Sequence, residues 1–246
     1  MCIQSEQDLV GLREAGEVVR LTLDALEQHT QPGITTKELD QIALAMFRAK
    51  RATSAPKTVY GFPANVLISI NDEVVHGVPG PRRVSRGDIV KLDVTVEKNG
   101  YMSDAARSVV MVGAPDVASR LKACAEAAFL RALTVARAGR LIRDIGKVIE
   151  LEVESRGFAV IRELTGHGIG RSIHEPPEVP NYCNTSQSET LEPGLVLTIE
   201  PIICSGSPRV RTTSDGWTIR TVDGGLSAHH EHTMLITEGP PVLLTA

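Results

Sequence analysis

The chain has 246 residues, 42% hydrophobic and 23% charged, an ordinary globular balance long enough to bury a sizeable core. Its 26 basic and 30 acidic residues give a net charge of −4, so no basic field exists to hold a phosphate backbone. With four Phe, three Tyr and one Trp there is no base-stacking platform either, and nucleic-acid binding is not expected. No apolar run approaches the ~18 residues of a membrane span. Met1–Glu6 lacks the basic and apolar regions of a secretory signal. Cys2, Cys124, Cys183 and Cys204 are scattered without C-x-x-C spacing, which argues against a zinc knuckle or a disulfide framework and fits a reducing cytoplasm.

Along the chain, Ser5-Glu6-Gln7-Asp8 reads as a helix cap, and Leu9, Leu12, Val19, Leu23 and Leu26 recur at helical spacing. Pro32-Gly33 breaks that helix. Thr35 and Glu38 form a capping box for a second helix to about Arg51. Strand character follows at 65–70 and 88–96, and Asn99-Gly100 is the strongest hairpin signal in the chain. A long Ala-rich helix is expected from Pro115 to about Ala138, and another from Ile142 to about Arg156, with Gly157 as its cap. Strands are expected at 195–199, 217–219 and 233–236. Two helices followed by antiparallel strands, twice over, suggest an α+β domain with two similar halves; chance pairing of helices is the open alternative. No linker divides the chain, so residues 1–246 read as one domain, with halves of about 1–113 and 114–246.

Four segments carry the chemistry. Asp93 and Asp104 flank the Asn99-Gly100 turn. A turn at Asn99-Gly100 sets Asp104 opposite Thr95; a turn at Lys98-Asn99 sets the two aspartates directly opposite. Either register puts both carboxylates on one face. The Gly-rich segment Thr165–Pro177 reads as a loop, too rich in Gly and Pro to be a helix, and holds His167 and His174 among three alternating glycines. Glu200 ends the apolar run Leu197-Thr198-Ile199, and Glu231 precedes Met234-Leu235-Ile236. Singly, each acid reads more readily as a strand-end charge. Together, Asp93, Asp104, Glu200 and Glu231 supply four carboxylates and His167 one nitrogen, a set that balances two divalent ions. Oxygen-rich ligation with one imidazole suits a pair of Mn(II), Fe(II), Co(II) or Zn(II) ions, and such pairs serve hydrolysis.

At these residues the sequence resembles the type I methionine aminopeptidases. The resemblance covers essentially the whole chain through Ser69–Pro79, Gly87–Thr95, the Thr165–Pro177 segment, Thr198-Ile199-Glu200-Pro201 and Glu231-His232-Thr233. It implies the pita-bread fold, a pseudo-twofold antiparallel sheet covered by two helix pairs. It implies two divalent ions, with Asp93 chelating one, Asp104 and Glu231 bridging, and His167 and Glu200 completing the other. It further implies that a metal-activated hydroxide attacks the first peptide bond, with Glu200 as proton acceptor and His76 and His174 contacting substrate. Phe62 and Trp217 match residues at the methionine pocket. The implied activity is removal of initiator methionine from nascent proteins, by a cytoplasmic monomer with the ribosome as an open partner. The alternatives are a related peptidase with altered N-terminal or Xaa-Pro specificity, and a non-catalytic peptide-binding relative.

The chain departs from that pattern at several positions. Pro56 and Val59 stand where a cysteine and a tyrosine are typical, and Ile173 where phenylalanine is usual. The expected pocket is apolar but less aromatic, which bears on selectivity for Met over Leu. His229 and His230 replace Gln and an aromatic. Two readings stay open for them: altered metal preference or pH profile, or exposed and inert imidazoles.

Overall fold

Local signals fix the helix starts. In the computed structural model, which describes residues 1–246, the Ser5 hydroxyl accepts from Asp8 N at 3.2 Å and opens α1 (Glu6–His29). The capping box is reciprocal: Glu38 N donates to Thr35 Oγ1 at 3.1 Å, and Thr35 N to Glu38 Oε2 at 2.8 Å, at the start of α2 (Thr36–Lys50). A short helix the sequence pattern did not predict, α3 (Ala55–Tyr60), is capped by Ser54 and stopped by Gly61 at φ +73°. The Ala-rich helix α4 (Asp116–Leu133) ends earlier than expected. Thr134 turns its hydroxyl back onto Arg131 O at 2.7 Å, and Ala138 N is taken by Thr237 O at 2.9 Å, so the helical ladder cannot continue to Ala138. α5 (Ile142–Ser155) ends as expected, with Gly157 at φ +78°.

The strands are, in order, β1 (Thr53–Ser54), β2 (Leu67–Ile70), β3 (Glu73–Val75), β4 (Ile89–Lys98), β5 (Tyr101–Val110), β6 (Ala159–Val160), β7 (Thr165–Gly168) and β8 (Glu175–Pro180). They continue with β9 (Val196–Ile199), β10 (Ile202–Cys204), β11 (Val210–Thr212), β12 (Ile219–Thr221), β13 (Ser227–His229), β14 (Glu231–Leu235) and β15 (Val242–Leu243). The main sheet runs β1-β4-β5-β14-β9-β7-β8, with β2 also on β4 and β15 on β14, every pair antiparallel. Two three-stranded sheets, β13-β10-β6 and β11-β12-β3, flank it.

Two expectations are corrected. The segment 165–177 is not a loop throughout: its ends are β7 and the start of β8. Its glycines hide the strand because they lack β-propensity, yet the packing demands them. A Cβ at Gly166 would lie 2.5 Å from Thr198 O, and one at Gly168 2.3 Å from Pro176 O. The expected strand at 217–219 begins only at Ile219, because Asp215 Oδ1 draws Trp217 N and Thr218 N into a turn, each at 2.8 Å.

Two clusters of 24 buried residues each make up most of the core. One lies under α1 and α2 and includes Leu12, Leu23, Leu39, Phe47, Val90 and Val94. The other lies under α4 and α5 and includes Leu121, Phe129, Ile145, Ile149, Leu197 and Met234. Each such side chain contributes ~1.5–3 kcal/mol of burial. The β5–β14 pairing, Ala106 opposite Glu231 and Ala105 opposite His232, joins the strands beneath the two helix pairs into one sheet.

Candidate metal centre

The Asn99-Gly100 turn decides the hairpin register. Both residues are left-handed, at φ +54° and +78°, and Lys98 pairs with Tyr101. Thr95 therefore faces Asp104 and Asp93 faces Ala106, the diagonal one of the two registers. Ala106 in turn faces Glu231 on β14, so Asp93, Ala106 and Glu231 form a row across three strands. The small Ala106 side chain leaves room between the two carboxylates. Glu200 directly follows β9, whose Thr198 pairs with Thr233 of β14. His167 enters from β7.

Asp93, Asp104, His167, Glu200 and Glu231 thus line one cleft of about 830 Å³, together with His76, His174 and His229. Single donor atoms of Asp104, His167 and Glu231, all buried, lie within 4.8 Å of one another. His167 Nδ1 sits 3.0 Å from Gly168 O, which fixes the proton there and leaves Nε2 as a lone pair 3.6 Å from Glu200 Oε1. Two buried threonines that the sequence reading did not single out support these groups. Thr198 Oγ1 accepts from His167 N at 3.0 Å and donates to Glu200 Oε1 at 2.9 Å. Thr233 Oγ1 accepts from Asp104 N at 2.9 Å and donates to Asp104 O at 2.8 Å. Their signal in the sequence was a polar residue inside each of two apolar strands.

The donor set calls for a cation. Asp104 Oδ1 and Glu231 Oε1 are buried with no hydrogen-bond partner, a state costing ~1–3 kcal/mol per group unless something positive meets them. Burial pushes Asp104 up to about 6, against an ordinary 3.8. Burial, and then repulsion among the carboxylates, pushes Asp93, Glu200 and Glu231 up as well. Burial first, and His174 second, hold His167 down at about 4, so its imidazole is neutral and able to ligate near neutral pH. Carboxylates that resist ionising until a counter-charge arrives, beside an imidazole with a free lone pair, fit divalent metal.

A smaller recess of about 90 Å³ shares His76, Asp93, Asp104 and His174 with the cleft. Its remaining wall includes Pro56, Tyr60, Phe62, Leu67, Ile173 and Trp217. Phe62 and Trp217 meet edge to face, ring centroids 5.2 Å apart at 88°. Val59 is exposed and is not among the lining residues, so only Pro56 and Ile173 of the three pocket departures act on the recess directly. His76 is held at φ +60°, a strained conformation for a residue with a Cβ, where cleft and recess meet.

The two extra histidines part company. His229 is buried, with Nε2 3.5 Å from Glu231 Oε2 and 3.8 Å from Glu200 Oε2, so it is not an exposed imidazole. His230 turns away from the carboxylates to meet the Phe129 ring at 5.0 Å.

Comparison with known proteins follows the same lines. Residues 10–238 match metallopeptidase family M24. A methionine aminopeptidase of Clostridium perfringens is 42% identical over 243 residues, 99% of this chain and 98% of that protein. The chain belongs to the methionine aminopeptidases of family M24. The methionine aminopeptidase of Escherichia coli K12 is 38% identical, over 99% of this chain and 93% of that protein. The crystal structure of methionine aminopeptidase from Thermotoga maritima superposes with a TM-score of 0.96 at 35% identity, covering 100% of this chain and 99% of that one. The fold is the pita-bread fold of these methionine aminopeptidases. It extends further: a prolidase from Pyrococcus furiosus gives a TM-score of 0.79 at 21% identity, a likeness of fold alone in which this chain spans 65% of that one.

Proposed function

We propose that the chain removes N-terminal methionine from peptides and nascent proteins, using two divalent ions held by Asp93, Asp104, His167, Glu200 and Glu231. The observation that carries this reading is the meeting of the carboxylate cluster with a one-sided apolar recess across His76, His174, Asp93 and Asp104. Divalent ions, when bound there, supply Lewis acidity and lower the pKa of water. The chain's own residues do the rest. The recess takes the apolar side chain of the first residue between Phe62, Ile173 and Trp217. The carboxylates attract the free α-amine, which restricts the enzyme to chain ends. Glu200 is oriented by the Thr198 hydroxyl and accepts the proton that the attacking water gives up. His76 and His174 donate N–H groups to the substrate amide and stabilise the charge that develops on its oxygen.

In this reading residues 1–246 are a single catalytic domain of two similar halves, about 1–113 and 114–246. The enzyme works as a cytoplasmic monomer, with the ribosome as the source of its substrates and any of Co, Mn, Fe or Zn as its metal. The scattered free cysteines favour a reducing compartment, and no helix is long and apolar enough to cross a membrane.

The test is mass-spectrometric cleavage of peptides headed Met-Ala, Met-Glu, Leu-Ala and Ala-Pro, with Mn(II) or Co(II) supplied and Asp104→Asn as control. Loss of Met from Met-Ala alone, absent in the variant, is the expected result. Loss of Leu, or cleavage before Pro, keeps the hydrolytic centre and reassigns the substrate. Metal binding without any cleavage overturns the enzymatic reading in favour of a peptide-binding protein.

A further inference from the structure

We infer that Tyr60 is a positioning residue that fixes the tautomer of His174, so that His174 presents an Nε2–H donor to the substrate. The inference rests on the role just given to His174 and adds a residue that the family resemblance does not name. Tyr60 closes α3, the short helix that forms one wall of the apolar recess. Its phenol oxygen lies 2.6 Å from His174 Nδ1, and the two rings stack with centroids 5.6 Å apart at 30°. The other face of the imidazole environment is His167, whose ring meets His174 edge-on at 4.3 Å. The His174 ring is therefore clamped between a candidate metal ligand and a tyrosine.

The direction of the Tyr60–His174 bond, 2.6 Å long, follows from the chemistry of the two groups. A phenol is protonated near neutral pH, His174 Nδ1 is its partner within the protein, and an imidazole nitrogen accepts more strongly than a phenol oxygen. The hydroxyl thus donates to Nδ1. A neutral imidazole carries one proton, so that proton stands on Nε2. Nε2–H is the form that can stabilise a developing negative charge on the substrate. The opposite tautomer would turn a lone pair toward that charge and would offer a stray ligand beside His167.

The variant that tests this is Tyr60→Phe, which keeps the ring, its stacking and its half-exposed position, and removes only the hydroxyl. With ¹⁵N-histidine-labelled, Zn(II)-loaded protein, long-range ¹H–¹⁵N correlation reads the tautomer of His174, assigned by its loss in His174→Asn. In the parent, His174 is expected in the Nε2–H form; in Tyr60→Phe it becomes a mixture of both. On a Met-Ala peptide, kcat is expected to fall about three- to tenfold with KM within about twofold, the scale of one orienting hydrogen bond. An Nδ1–H form in the parent, or an unchanged tautomer in Tyr60→Phe, overturns the inference. So does a loss confined to KM, which would make Tyr60 only part of the pocket wall. If the parent cleaves no peptide, the functional reading fails, and the tautomer comparison still decides whether Tyr60 sets His174.

Discussion

Asp104→Asn should be more stable than its parent without metal and less stable than its parent with it. Asp104 Oδ1 is buried without a partner, and burial raises its carboxyl from 3.8 to about 6. A raised acid pKa means that the folded state binds the proton more tightly than the unfolded state, so stability falls as pH rises from 3.8 to about 6 and stays low above it. At ~1.4 kcal/mol for each tenfold change in proton affinity, the charged side chain costs ~3 kcal/mol near neutral pH. Asparagine removes that cost and forfeits ~1 kcal/mol of hydrogen bonding to its neighbours, a net gain of ~2 kcal/mol. For a chain of this length that raises the midpoint of thermal unfolding by ~4–8 °C. With a divalent ion at about a hundred times its Kd the parent gains ~2.7 kcal/mol, which the variant, lacking a ligand, does not. Calorimetric melts of both proteins, with chelator and with Mn(II), check both halves. In chelator the variant's advantage should vanish and then reverse as the pH is lowered toward 3.8. A metal-free Asp104→Asn protein that melts below its parent near neutral pH, or one that gains as much from Mn(II), would refute the account of the cluster as a destabilising charge awaiting its ion.

Three further outcomes follow from the same geometry. Ile173→Phe adds an aromatic face to the recess and should raise the preference for Met over Leu by about two- to tenfold in kcat/KM, the worth of one sulfur–aromatic contact; competition between Met-Ala and Leu-Ala peptides measures it. Gly146→Ala should destabilise despite better helix propensity, because its Cβ would lie 2.1 Å from Tyr182 O; a gain of ~1 kcal/mol is outweighed by a separation of α5 from the chain beneath it, and a net loss of ~1–3 kcal/mol is expected in urea unfolding. Burial, with help from His230 and Arg107, depresses His232 to about 3, so the unfolded state takes up the proton first and stability is lost as pH falls from 6.5 toward that value. Between about pH 6.5 and 4.5, His232→Gln should therefore lose ~2 kcal/mol less stability than its parent, read from urea midpoints at the two pH values.

Much of the fold is legible where the signal is local. Ser5, the Thr35–Glu38 box, Gly157 and Asn99-Gly100 act within a few residues, and the structure puts a cap or a turn at each. The hairpin also shows why the pair Asp93 and Asp104 could be read before its register: a side-chain period of two keeps both on one face in either case. The approach of His167, Glu200 and Glu231 to that hairpin was not readable from spacing, since it depends on strands β7, β9 and β14 meeting far along the chain. Gly166 and Gly168 concealed β7, because what requires a glycine there is another strand's carbonyl rather than anything in the segment itself. Thr134 shortened α4 by a hydroxyl bond that helical periodicity does not register. Tyr60 escaped notice because its partner, His174, lies 114 residues away.

The row Asp93–Ala106–Glu231 crosses the junction between the two helix-covered parts of the sheet. A cut in the connection between Val110 and Asp116 would leave Asp93 and Asp104 on one fragment and His167, Glu200 and Glu231 on the other. Neither fragment alone could assemble the set, and each would carry acids with no counter-charge. Metal held by this set, in the proposed reading, would join the two parts as well as supply the chemistry. Two fragments cut there are expected to regain peptide cleavage together only when metal is added.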